Sequence, residues 1–88
     1  MNKKKIQISR NKIDQLDKKI FSLIKKRTEI VKYMLSLKIF KNQIVDHKRI
    51  KEILKKIKNN IDPKITNRIW KNMIMSYIDY ERRNFKKK

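Results

Sequence analysis

Apolar residues recur along the first half of the chain at Ile13, Leu16, Ile20, Leu23, Ile30, Met34 and Leu37, with polar residues filling most of the positions between them. Intervals of three and four residues put these side chains on one stripe of a helix, in the spacing of a seam against a partner. No glycine or proline interrupts the pattern, and Ser9 offers a capping hydroxyl. The expected helix therefore runs from Ser9 to about Lys38. At about 1.5 Å per residue it would be roughly 45 Å long, too long for a small globule unless another long helix lies alongside.

The segment Phe40 to Val45 carries Lys41-Asn42-Gln43 and reads as a loop. Asp46 then caps a second helix with an apolar stripe at Ile50, Ile53, Leu54 and Ile57, extending to Ile61, and Asn59-Asn60 ends it. Asp62-Pro63 is a cap followed by proline at the first helical position, a strong start signal. The third helix carries Ile65, Ile69, Trp70, Met73, Ile74, Tyr77, Ile78 and Phe85, and dissolves into the terminal lysines. Strand alternation, internal repeats and flexible linkers are all missing. The expectation is an all-α chain with one long, one short and one medium helix, forming a single domain over residues 1–88.

Composition narrows the chemistry. A chain of 88 residues buries a modest core, so association with a second copy would help it. Without cysteine there are no disulfides or thiolate metal sites, and with His47 as the one histidine there is no multi-histidine metal site within a chain. No apolar run approaches the roughly 20 residues of a membrane span, and no apolar segment follows the basic Met-Asn-Lys-Lys-Lys start. A cytoplasmic enzyme or binding module is expected. The formal charge of +19 first suggests nucleic acid. Heavy use of Lys, Ile and Asn with no Gly or Ala is, however, what an AT-rich genome imposes on any protein, and the charge is spread along the chain rather than gathered in one stripe. The nucleic-acid reading is the weaker one.

Some polar residues stand where the pattern wants apolar ones. Arg27 occupies the seam between Leu23 and Ile30. It either snorkels out of an interface or is held in a cavity to grip a carboxylate with both arms of its guanidinium. Lys38, eleven residues on, is roughly 20° away around the same helix and about 16 Å along it, so two long side chains could converge on one small anion. Glu81 falls on the stripe of Trp70, Ile74, Tyr77 and Ile78. It is either a helix-end carboxylate reaching solvent or a lysine, or a carboxyl whose apolar surroundings favour a protonated, hydrogen-bond-donating form. Asp46 and Arg49 share a face at the start of the second helix, as a surface capping pair or as part of a site.

The stretch Arg10-Asn-Lys-Ile-Asp-Gln-Leu-Asp-Lys-Lys-Ile-Phe-Ser-Leu-Ile-Lys-Lys-Arg27 resembles the first helix of the AroQ-type (all-helical, type II) chorismate mutases. That family pattern is Arg, Ile-Asp, Asp, paired apolars and Arg at this spacing. The likeness continues through Lys38, through Val45-Asp46-His47-Lys48-Arg49 and into the third helix. It implies an intertwined homodimer with two sites, each lined by three helices of one chain and one arginine of the other. It also implies a cofactor-free isomerase that rearranges chorismate to prephenate in aromatic amino-acid biosynthesis. By the same resemblance Arg10, Arg27 and Arg49 hold the substrate carboxylates, Lys38 and Glu81 meet the ether oxygen, and Asp46 lies near the ring hydroxyl. Arg10 precedes Arg27 by about 25 Å of helix, so it is expected to serve the partner's site.

Three positions depart from the family. Tyr77 stands where many members have a serine that touches a carboxylate, with Ser76 beside it facing another direction. Glu81 replaces a common glutamine. Ile50 replaces the glutamate that usually follows the arginine matching Arg49 and is thought to grip the ring hydroxyl. Loss of a charge-assisted hydrogen bond is worth about 1.5–3 kcal/mol, or one to two decades in rate if it acts in the transition state. Sister activities on this scaffold, isochorismate pyruvate lyase and aminodeoxychorismate mutase, are the nearest alternatives, and a basic helical nucleic-acid module or a degenerate subunit needing an activating partner the more distant ones. Fusion to a second catalytic domain is not expected at this length.

Overall fold

The computed structural model describes residues 2–38, 41–57 and 61–86. Within them the chain is all-α, with no strand: α1 (Lys3–Leu37), a single 3-10 turn (Lys41–Gln43), α2 (His47–Lys56) and α3 (Pro63–Asn84). The long, short and medium order of helices is the one the hydrophobic pattern predicts. The chain divides into two compact units, Met1–Ile30 and Val31–Lys88.

The first unit is the greater part of α1. It begins six residues before the expected cap, so Ser9 lies inside the helix. The carbonyl of Asn2 accepts the Ile6 N–H at 2.8 Å and so starts the ladder. Lys3 to Lys5 are tolerant helix formers and Ile6 prolongs the apolar stripe one heptad before Ile13, so nothing local stops the helix at Ser9. Along this segment Ile6, Ile13, Leu16, Ile20, Leu23 and Ile30 are all about half exposed or more, and Phe21 reaches 71%.

In the second unit the end of α1 closes on a tighter turn, the Lys38 N–H donating to the Leu35 carbonyl at 3.1 Å. The expected loop at Phe40–Val45 contains the 3-10 turn instead, closed by the Ile44 N–H on the Lys41 carbonyl at 3.2 Å. Phe40 lies outside the described residues. Ile44, read from sequence as loop, is the buried apolar residue among the described residues, 5% exposed. Val45 and Ile50 take the N′ and N4 positions of a hydrophobic staple around the Asp46 cap, and both are half-buried.

Asp46 caps α2 as expected. Ile50, Ile53, Leu54 and Ile57 are half-buried on α2 or its cap, and α2 packs against α3. Ile61 does not extend that stripe; it follows the helix and is exposed. Asn59-Asn60, the expected terminator, lies outside the described residues, and the helix ends at Lys56. At the start of α3 the Asp62 carboxylate accepts the Lys64 N–H at 2.8 Å while its carbonyl accepts those of Ile65 and Thr66. Pro63 follows at the first helical position, where no N–H is needed. The stripe Trp70, Met73, Ile74, Tyr77 and Ile78 is half-buried, whereas Ile65 and Ile69 are exposed. Phe85 is the C-cap, not part of the helix.

Candidate functional site

The second unit brings together two of the residues singled out from sequence. Glu81 lies on the inward stripe of α3, one turn beyond Tyr77 and Ile78, and is 6% exposed. Lys38, just past the end of α1, donates from Nζ to Glu81 Oε1 at 2.7 Å. Their side chains keep 17% and 7% of their exposure. Of the readings offered for Glu81, the structure shows the carboxylate paired with a lysine, and the side chain does not reach solvent. Burying a charge is costly unless it is paired, and the pair meets that requirement within an apolar wall. In this state Glu81 is the acceptor of a bond from a cation, not a donor.

The neighbouring residues are more open. Asp46 is exposed and its Oδ1 accepts the Arg49 N–H at 3.0 Å, so its present work is capping. The Arg49 guanidinium does not turn back to Asp46. Its Nη1 lies 3.7 Å from Glu52 Oε2, both groups well exposed. Sequence reasoning overlooked Glu52, although an i,i+3 spacing on a helix is a visible signal for such a pair. Ile50 and Tyr77 are half-buried, and Ser76 donates its hydroxyl to the Asn72 carbonyl at 2.7 Å. Of the residues singled out from sequence, the unit thus holds a protected ammonium with its carboxylate and an exposed arginine, Arg49.

In the first unit, Arg10 is exposed on α1 and Arg27 is half-buried, with Nη1 shut off from solvent. Arg27 is therefore not a side chain reaching freely into water. Seventeen residues of helix keep the two arginines about 25 Å apart, beyond the span of one small ligand. Among the described residues no group of three or more His, Cys, Asp and Glu side chains could hold a metal ion, and no helix is long and apolar enough to cross a membrane.

The described residues thus give an all-helical chain with a protected lysine–carboxylate pair in its second unit. Residues 9–82 match the family model described as chorismate mutase type II, and the chain belongs to that family. The matched segment contains every candidate residue from Arg10 to Glu81. Comparison with curated proteins and with solved structures gives no match.

Proposed function

We propose that this protein is a chorismate mutase, catalysing the rearrangement of chorismate to prephenate as a homodimer of single-domain, cytoplasmic chains. The observation that carries the reading is the Lys38–Glu81 pair, buried on the α3 stripe inside the segment that matches the family. The reaction is a one-step pericyclic rearrangement, so it calls for no nucleophile, metal or cofactor. What it needs is a flexible dianion held in its compact, reactive shape, and a donor for the negative charge that grows on the ether oxygen as the C–O bond breaks.

The chain has residues of the right kind for each task. Arg27 and Arg49, with Arg10 from the partner chain, take the two carboxylates. Lys38 donates to the ether oxygen. For Glu81 to donate as well, its bond from Lys38 must open and its carboxylate must take up a proton from solvent, since Lys38 keeps its own for the ether oxygen. A dianion arriving among the arginines offers Lys38 a new counter-charge, so Lys38 can leave Glu81 as substrate enters. Asp46 lies near the ring hydroxyl, with Tyr77 beside a carboxylate. The dimer is supported by the exposed seam of α1 and by a core in which Ile44 is the buried apolar side chain among the described residues.

A second reading rests on Ile50. An apolar, half-buried residue at this place on α2 suits a substrate with altered ring substituents, as in isochorismate pyruvate lyase or aminodeoxychorismate mutase. Incubating the purified protein separately with chorismate and isochorismate, and identifying products by NMR, separates the two. Prephenate from chorismate is the expected result. Pyruvate release from isochorismate with chorismate unchanged would replace the first reading by the second.

A further inference from the structure

The second unit carries a cleft of about 560 Å³ lined by Lys41, Asn42, Val45, His47 and Arg82. It shares no residue with the candidate catalytic set. Two cations and an imidazole converge there from three elements: Lys41 from the 3-10 turn, His47 from the first residue of α2, and Arg82 from the last turn of α3. The chain sets a carboxylate directly before two of these residues, and both carboxylates are engaged elsewhere. Asp46 precedes His47 but caps α2 through the Arg49 N–H. Glu81 precedes Arg82 but is committed to Lys38. Among the described residues neither Lys41, His47 nor Arg82 is in an ion pair, whereas Arg83, next along α3, holds Asp79 at 2.9 Å.

A concave surface lined by one sign of charge focuses its field and raises the local concentration of counter-ions. The N-terminal end of α2, at Val45 and His47, adds the positive pole of the helix dipole to the same field. Arg82 offers a planar fork for two oxygens, Lys41 a point charge, Asn42 an amide donor, and Val45 a small apolar wall. The volume lies in the range of a metabolite-sized ligand rather than a single ion.

We propose that this cleft is a second ligand site, separate from the catalytic one, for a small polyanion bearing at least two phosphate or carboxylate groups. The proposal does not rest on the catalytic reading, because occupancy is measurable without turnover. Calorimetric titration of the full chain with pyrophosphate, and separately with citrate, at 0.15 M salt should give saturable binding of at least one of them at one per chain. Which of the two binds more tightly tells phosphate from carboxylate chemistry. Arg82→Gln and Lys41→Gln should each weaken binding about tenfold or more, while Arg83→Gln, equal in charge change and adjacent in sequence, should stay within about twofold. Lys41 lies outside the long helices, so its effect cannot come from unwinding α3, and helical circular dichroism checks all three variants. Three results would overturn the site: no saturable binding of either anion, equal losses in Arg82→Gln and Arg83→Gln, or loss in Arg27→Gln with Arg82→Gln unaffected.

Discussion

Glu81 stands out in the sequence as a charged residue on an apolar stripe, and the structure buries it there against Lys38. What periodicity alone did not supply was the partner, because a helical pattern assigns a residue to a face of its own helix and says nothing about a group 43 positions away. Arg49 differs: its contact with Glu52 was visible in spacing, and its exposed position is the surface reading that the sequence offered for it with Asp46. Two expectations belong to this scale. Glu81→Gln keeps a donor and should retain chorismate turnover at neutral pH, while Glu81→Ala should lose about one to two decades in kcat/KM. Equal loss in both variants would show that Glu81 does not act as a donor. For Ile50, replacement by glutamate should raise kcat/KM on chorismate by about a decade, the worth of one charge-assisted hydrogen bond. A fall, accompanied by damage to turnover of another substrate, would favour the sister activities.

At the scale of elements the legible features were those with a local cause. Asp46 and Asp62-Pro63 carry their own capping chemistry, and both start helices where that chemistry says they should. Ser9 misled because a capping residue is permissive, and favourable lysines with Ile6 before it let the helix continue to Lys3. Ile44 was illegible for another reason: its burial follows from tertiary packing of a single 3-10 turn too short to show any period. Asp62 touches none of the proposed substrate contacts, so its substitution isolates the cap. Asp62→Ala should cost about 1 kcal/mol and lower Tm by about 4–8 °C, with KM for chorismate unchanged. Thermal circular dichroism with steady-state kinetics checks both parts. An unaltered Tm would mean the Lys64 N–H finds an equal partner without the carboxylate.

For the whole molecule, the spacing of apolar residues announced a helix that wants company, and the exposed seam from Ile6 to Ile30 is consistent with that reading. With the proposed association through this seam, the protein should melt at a temperature that rises with concentration, which two samples tenfold apart would reveal. The sharing of sites is the more searching question, since it joins the substrate, the arginines and the dimer in one claim. Arg10→Ala and Arg27→Ala chains, each purified, should turn over chorismate poorly. Mixed in equal amounts and allowed to exchange subunits, half the dimers become heterodimers in which one site regains both arginines. Activity should then recover to about one quarter of wild type, the statistical share of intact sites. No recovery after exchange demonstrated by mass spectrometry would contradict the account, because Arg10 and Arg27 would then be serving the same site of one chain, or neither would be serving chorismate at all.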